Sequence, residues 1–284
     1  MNTIYMMCGI PLSGKSNIAK ELSIEKDAVI HSSDSLREEL WGDESIQQDN
    51  KELFRELHTR IKSDLGTGQN VIYDATNINY KRRMAFLQDI KDIDCEKIAV
   101  LCMKPYEDCL KDNQERDRVV PEDVIKRMYK TFVIPQSFEG WDSVIVRSEG
   151  KQEMPVDCNQ DNPHHTLSVL EHCQRTRDIL TTMTDDQYIL RAAELHDIGK
   201  PFTKTFSNMK GEPTEIAHYY DHHTVGAYMA FMMTRNFTIA KYIQWHMQPF
   251  FCETEKSINK WKKLLGEEFW NNLLLLHQAD KLAH

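Results

Sequence analysis

The sequence lacks the cysteine pairs that build disulfide frameworks or thiolate zinc sites. Its seven cysteines are scattered, odd in number and never spaced as CxxC. This pattern is typical of reduced thiols in a cytoplasmic protein. No apolar run approaches the ~20 residues that cross a bilayer, and no basic segment precedes the first apolar stretch. We therefore expect neither membrane attachment nor a signal peptide.

An excess of basic residues is also missing. The formal net charge of −9 argues against a protein that coats nucleic acid non-specifically. It is compatible with a local basic groove around a nucleic-acid end. The 284 residues are long for one domain and sufficient for two, each with its own core.

Two patterns of apolar residues divide the chain. Strand-like and helix-like segments alternate from Ile4–Cys8 to Asp142–Val146, which predicts a parallel sheet with helices on both faces. A polar stretch at 150–160 is expected to be a linker, and only helices are predicted from His164 onward. The predicted organisation is an α/β domain at 1–149, the linker, and an all-α domain at 161–284.

The first strand runs directly into a glycine loop. The segment reads Gly9-Ile10-Pro11-Leu12-Ser13-Gly14-Lys15-Ser16, which is GxxxxGKS between a strand and a helix. Backbone N–H groups of Gly9, Ser13 and Gly14 are expected to surround the phosphates of ATP or another nucleoside triphosphate. Lys15 would reach the β- and γ-phosphates, and Ser16 would bind Mg²⁺. The alternative is an ordinary strand-to-helix turn.

Acids follow the next two predicted strands, where ligands of such sheets gather. Asp34 is a candidate general base for an attacking hydroxyl, and Arg37 would hold a substrate phosphate or orient the acid. Asp34 as a simple helix N-cap is an equally good interpretation. Asp74 suits a carboxylate near Mg²⁺, although an acid there also forms turns.

These motifs, the run Thr76–Arg83 and the segment Val120–Lys130 together resemble the phage-type 5′-hydroxyl polynucleotide kinases. The resemblance covers nearly all of residues 1–147 and implies a P-loop kinase domain. It implies that Asp34 is the general base on a 5′-hydroxyl, with Arg37 beside it. A lid arginine that touches the ATP phosphates corresponds to Arg116, with Arg118 as the alternative.

The second half places histidines and acids on separate predicted helices. A single histidine on an apolar face is usually a packed core residue, whereas adjacent His196-Asp197 with further members elsewhere indicates a transition-metal site. The further members are His172, His222, His246 and Asp280, and Lys200 ends the run that begins at His196.

The string from Leu195 to Pro201, with the flanking histidines, resembles the HD phosphohydrolase superfamily, and most closely the HD domains of bacterial tRNA nucleotidyltransferases. The resemblance implies one metal held by His172, His196, Asp197 and Asp280. A second would be held by His222, His246 and a bridging Asp197, the metal being Mn²⁺, Zn²⁺, Fe, Co²⁺ or Ni²⁺. It further assigns Lys200 and Lys204 to contacts with phosphate. His165 and His218 would lie just outside the metal ligands or contact the substrate, and His223 is expected at the surface.

Together the resemblances imply a cytoplasmic enzyme that heals RNA ends. One half would phosphorylate 5′-hydroxyls with ATP, and the other would remove 2′,3′-cyclic, 2′- or 3′-phosphates. The expected partners are nucleic-acid ends, with RNA favoured over DNA, and a separate RNA ligase. The alternatives are a nucleoside kinase fused to an HD nucleotidase, and a module that only senses nucleotides.

Overall fold

The computed structural model describes residues 1–46, 49–116, 118–163 and 166–283. By its contacts the chain forms two compact units, Met1–Met128 with Ile134–Gly150, and Tyr129–Val133 with Lys151–His284. In the described ranges, no helix is both long and apolar enough to span a bilayer.

The first unit is built on a five-stranded parallel sheet in the order β2-β3-β1-β4-β5. The strands are β1 (Asn2–Cys8), β2 (Ala28–Ser32), β3 (Asn70–Asp74), β4 (Cys95–Met103) and β5 (Ser143–Ser148). The helices are α1 (Lys15–Lys26), α2 (Ser33–Trp41), α3 (Asn50–Gly66), α4 (Tyr80–Asp89), α5 (Tyr106–Gln114) and α6 (Glu122–Lys130), of which the last two residues of α6 belong to the second unit. The α/β architecture expected from the alternating pattern is confirmed.

The central strand β1 is buried from Thr3 to Cys8, as expected for a strand covered on both faces. Tyr5 and Met7 pack with Leu22 of α1 and Val100 of β4 in one core cluster. Strand β1 lies between β3 and β4, because the chain places β2 and β3 on one side of β1 and then crosses to β4 and β5 on the other side. Such a change of side leaves a crevice at the carboxyl ends of the strands.

The second unit is helical, as expected. Its helices are α7 (Val169–Leu180), α8 (Gln187–Leu195), α9 (Lys200–Thr203), α10 (His222–Thr234), α11 (Phe237–Trp245), α12 (Glu255–Leu265) and α13 (Glu267–Leu282). The run from Thr224 to Met232 in α10 is buried on every side, which explains why this helix is apolar all round.

The expectation of helices alone after residue 164 misses one element. Strands β6 (Thr205–Ser207) and β7 (Pro213–His218) form an antiparallel hairpin between α9 and α10. Both strands are short, and exposed positions of the hairpin carry the apolar residues Phe206, Met209 and Ile216 as well as polar ones. The sequence therefore shows no clear two-residue alternation there, which is the signal on which strand prediction depends.

A buried ion pair fixes the segment that follows β3. Arg83 of α4 donates from Nε and Nη2 to the two carboxylate oxygens of Glu139, at 2.7 and 2.6 Å, and both side chains are fully buried. Its Nη1 donates to the carbonyl of Asn77 at 2.8 Å, and Trp141 donates to Glu139 at 3.1 Å. Arg83, part of the motif shared with kinases, therefore has a structural role here.

We predict that Arg83→Met lowers the free energy of unfolding of the first unit by about 3 kcal/mol or more, because Glu139 would remain buried without its partner. Arg82→Met is the matched control, since Arg82 is exposed. Urea unfolding followed by circular dichroism measures both. The double variant Arg83→Met/Glu139→Leu should recover part of the loss. Equal unfolding midpoints for the two single variants would contradict this role.

Candidate active sites

The glycine loop lies between the end of β1 and the start of α1. A Cβ on Gly9 would lie 2.5 Å from the carbonyl oxygen of Cys102 and 2.4 Å from Ser13 Oγ, so only glycine fits against β4 at this point. Gly14 caps α1 with a φ of 84° and no side-chain hydrogen bond. The first N–H groups of α1 therefore have no side-chain cap, and they suit an anionic ligand.

Three charged or polar side chains of the loop region lie together. Lys15 Nζ donates to the loop carbonyl of Ile10 at 2.7 Å, and Ser16 Oγ donates to Asp74 Oδ2 at 3.4 Å. Burial lowers the pKa of Lys15, against the opposing charge of Asp74. Burial raises the pKa of Asp74, against the opposing charge of Lys15. Ser16 and Asp74 would hold Mg²⁺, whose charge would favour the ionised carboxylate.

Asp34 lies near this loop. Its negative charge acts to raise the pKa of both Lys15 and Asp74. Its side chain is 55% exposed and accepts from Arg37 Nη1 at 2.7 Å. The N-cap of α2 is Ser32, whose hydroxyl accepts from the N–H of Asp34. The capping interpretation of Asp34 is therefore wrong, and its carboxylate is open to a substrate.

Arg37 is fixed from a second side. It is 7% exposed, and its Nη2 donates to Asn50 Oδ1, at the start of α3, at 3.0 Å. Asn50 does not stand out in the sequence, because a single asparagine at a helix start has many uses. With Nη1 on Asp34 and Nη2 on Asn50, Arg37 orients the acid.

The two candidate lid arginines differ in their surroundings. Arg116 is exposed two residues beyond the end of α5. Arg118 pairs with Glu44 Oε1 at 2.6 Å and donates to the Glu44 carbonyl at 3.3 Å. Arg118 is thus held by another residue, whereas Arg116 is exposed at its position beside α5.

The second unit gathers its histidines and acids from five helices. His172 lies within α7, His196 and His246 follow the last residues of α8 and α11, and His222 begins α10. Asp280 lies in α13. Gly199 permits the segment that follows α8 to lie close to the start of α10, because a Cβ on Gly199 would lie 2.1 Å from the carbonyl oxygen of His222. All members are buried, with at most 7% exposure.

Asp197 is shared by two groups of metal-ligating type. One is His172, His196 and Asp197, and the other is Asp197, His222 and His246; the donor atoms of each group lie within 4.8 Å of one another. Asp197 Oδ2 is 3.3 Å from His196 Nε2, and Oδ1 is 3.3 Å from His222 Nε2. Asp280 Oδ1 lies 2.9 Å from His172 Nε2 and 3.7 Å from His196 Nε2.

The backbone orients the rings. Nδ1 of His196 is 2.8 Å from the carbonyl oxygen of Ala193, and Nδ1 of His246 is 2.8 Å from that of Ile243. These two carbonyl groups lie in the last turns of α8 and α11, where backbone carbonyl groups have no hydrogen-bond partner within the helix. The carbonyl of Tyr219 serves His222 in the same way at 2.8 Å. Each Nε2 is thereby left to face the cluster as a ligand.

The cluster fits a cation. His196 Nε2 is buried and makes no acceptable hydrogen bond within the described residues, although carboxylate oxygens lie 3.3 and 3.7 Å away. Burial raises the pKa of Asp197, but His196 and Lys200 outweigh it and hold the pKa well below its usual range. Burial and the neighbouring His222 and His196 lower the pKa of His246. Carboxylates and imidazoles in this arrangement are transition-metal ligands.

The remaining predicted residues have mixed placements. Lys200 Nζ lies 2.6 Å from Asp197 Oδ2. Lys204 instead pairs with Asp161 Oδ2 at 2.6 Å and donates to the Asn159 carbonyl at 2.5 Å. The surface expectation for His223 is wrong, since the ring is half-buried and 5.7 Å from that of His222. His218 stacks on Tyr220 at 5.4 Å, and His165 lies outside the described residues.

We predict that Gly9→Ala weakens nucleotide binding by about tenfold or more, because the added methyl group displaces the loop from β4. Titration with a fluorescent ATP analogue measures the dissociation constant. Gly66→Ala is the matched control, as a Cβ on Gly66 meets no atom within 4 Å. Unchanged affinity in Gly9→Ala would remove the loop from nucleotide binding.

We predict that the two groups sharing Asp197 load metal separately. Asp197→Asn should lose metal from both groups, whereas His246→Ala should keep the ion held by His172, His196 and Asp197. Mass spectrometry of metal content per chain, after loading with Mn²⁺, compares the variants with the wild type. Equal losses in both variants would show that the groups are not independent.

The comparisons with known proteins agree with this division. Residues 4–135 match the AAA domain family, and residues 164–284 match the HD domain family. The L-seryl-tRNA(Sec) kinase of Methanococcus maripaludis is 31% identical over 149 residues, which cover 49% of this chain and 56% of that protein. The chain thus spans little more than half the length of this curated relative.

Solved structures show weaker likeness. An APS kinase from Mycobacterium tuberculosis has a TM-score of 0.38 at 20% identity over 51% of this chain and 88% of its own. The Pnkp1/Rnl/Hen1 RNA repair complex has a TM-score of 0.38 at 20% identity over 45% of this chain and 42% of the other. Neither reaches a TM-score of 0.5, so neither bears on activity. The two family matches show that this chain joins a P-loop kinase domain, at residues 4–135, to an HD domain, at residues 164–284.

Proposed function

We propose that this chain is a bifunctional enzyme that repairs the ends of broken RNA. The kinase domain phosphorylates a 5′-hydroxyl with ATP and Mg²⁺. The HD domain removes 2′,3′-cyclic, 2′- or 3′-phosphate from the opposite end. The observation that carries the proposal is the occurrence, in one chain, of an exposed acid near a phosphate loop and a buried centre of metal-ligating type.

Asp34 supports the kinase half of the proposal. A kinase that acts on an alcohol requires a group that accepts the hydroxyl proton as the bond to phosphorus forms. Asp34 is exposed, lies near Lys15 and is oriented by Arg37. Lys15 would bind the transferring phosphate, and Arg116 is the candidate for closing over it. A module that only senses nucleotide has no use for such an acid.

The buried cluster supports the phosphohydrolase half. A divalent transition metal on these groups would polarise a phosphate and lower the pKa of a bound water molecule. Asp197, His196 and His172 would hold one ion together with Asp280, and His222 and His246 would complete a second with Asp197. Lys200 adds a positive charge at Asp197 for the phosphate oxygens.

An alternative function differs from this proposal in the molecule that accepts the phosphoryl group. The relative named L-seryl-tRNA(Sec) kinase supports an acceptor carried by RNA. A nucleoside kinase fused to an HD nucleotidase would use the same residues on small molecules. RNA with a 5′-hydroxyl and a 2′,3′-cyclic phosphate, incubated with ATP, Mg²⁺ and each transition metal in turn, distinguishes the two through analysis of its end groups. If free nucleosides were turned over and oligonucleotides were not, the nucleoside kinase fused to a nucleotidase would be the correct function.

We predict that the two activities separate by mutation. Lys15→Ala or Asp34→Ala should reduce 5′-phosphorylation by about a thousandfold while phosphate removal continues. His196→Ala or Asp197→Ala should have the opposite effect. Radiolabelled phosphate transfer and phosphate release, measured on the same preparations, report both. If each variant lost both activities, the two-site proposal would be wrong. The product of both reactions, a 5′-phosphate and a free 3′-end, would suit a separate RNA ligase.

A further inference from the structure

Lys200 lies on one particular side of the shared carboxylate. Its Nζ is 2.6 Å from Asp197 Oδ2, the oxygen that is 3.3 Å from His196 Nε2 and 3.7 Å from His172 Nε2. The other oxygen, Oδ1, faces His222 and His246. The ammonium group therefore belongs beside the His172–His196–Asp197 group.

A second residue holds the same ammonium. Gln160 precedes α7 by several residues, within the stretch predicted to be a linker, yet it is only 1% exposed. Its Oε1 accepts from Lys200 Nζ at 2.7 Å, and its Nε2 donates to the Leu167 carbonyl at 3.2 Å. Because both ends of the amide are engaged, the amide cannot turn without losing a hydrogen bond, and its oxygen stays on Lys200.

The backbone of Gln160 is anchored as well. Tyr219 donates from its hydroxyl to the Gln160 carbonyl, and the Tyr219 ring centroid is 5.4 Å from Lys200 Nζ. Tyr219 lies three residues before His222, the ligand that begins α10. The side chain of Gln160 and the aromatic ring thus enclose the ammonium from outside the group of candidate ligands.

The hydrogen bonds of Lys200 can be counted. An ammonium has three N–H donors, and within the described ranges two acceptors engage Nζ, one oxygen each from Asp197 and Gln160. One donor is left for an oxygen of a ligand. An amide acceptor orients the lysine without cancelling its charge, whereas a carboxylate at the same position would form a second ion pair and repel an anion.

We propose that Gln160 is a positioning residue, which directs the ammonium of Lys200 toward a phosphate oxygen at the His172–His196–Asp197 group. The ligand is a phosphate monoester or diester end, or inorganic phosphate itself. This inference rests on the proposed phosphohydrolase function of the HD domain and adds a residue that lies outside its recognised motifs.

Three variants of the full chain, loaded with Mn²⁺, test the proposal by calorimetric binding of inorganic phosphate. Gln160→Glu should weaken phosphate binding about tenfold or more, and Gln160→Met by several-fold, because a charged hydrogen bond loses its orientation. Gln187→Glu adds the same charge at an exposed residue of α8 and should bind as the wild type does. Metal content per chain should be equal in all three, since Gln160 is not a ligand.

A double-variant cycle shows whether Gln160 acts through Lys200. In the Lys200→Met background, Gln160→Met should have no further effect on phosphate affinity. In hydrolysis of a 3′-phosphorylated oligonucleotide, Gln160→Met should raise KM more than it lowers kcat.

Four results would overturn the proposal: wild-type phosphate affinity in Gln160→Met, loss of metal together with phosphate affinity, additive effects in the cycle, and no phosphate binding by the wild type. Phosphate binding that depends on Gln160, without hydrolysis of any RNA end, would instead support the positioning role and reject the proposed function. If Gln160→Glu does not fold, Gln160→Met alone decides the outcome.

Discussion

The second unit depends on one carboxylate. Asp197 is the single residue common to both groups of histidines, and its two oxygens face different groups. A carboxylate buried to 2% exposure is costly unless opposite charges surround it. Lys200 and the histidines surround Asp197 in this way. The packing of helices α7, α8, α10, α11 and α13 brings these side chains and Asp280 together. Chemistry and packing therefore place demands on the same residues, which leaves little freedom to change one without the other.

The first unit meets a comparable demand through topology. Strands β2, β3 and β1 are neighbours in the sheet, and their carboxyl ends lead to Asp34, Asp74 and the glycine loop. Parallel pairing brings these ends to the same edge, so residues far apart in sequence become neighbours without any long-range signal between them. The buried pair of Arg83 and Glu139 then fixes the loop after β3 from behind, out of contact with solvent.

Much of this arrangement could be predicted from the sequence. The glycine loop and the strand that precedes it, the acid with an arginine one turn later, and the adjacent His196-Asp197 are local patterns with direct physical meaning. Gln160, Asn50 and Glu139 were missed for the opposite reason. Each is an ordinary polar residue in sequence, and its role arises only from a partner 40, 13 or 56 positions away. The surface expectation for His223 failed in the same way, since helix packing decides its burial.

Gly14 leaves the N-terminus of α1 without a side-chain cap. It occupies the N-cap without a side-chain hydrogen bond, a position where serine, threonine or aspartate would stabilise a helix by roughly a few tenths of a kcal/mol more than glycine does. Because Gly14 has no side chain, the N–H groups of the first turn of α1 are left for an anion. A bound nucleotide phosphate would accept hydrogen bonds from these amide groups, so nucleotide binding is expected to stabilise the first turn of α1.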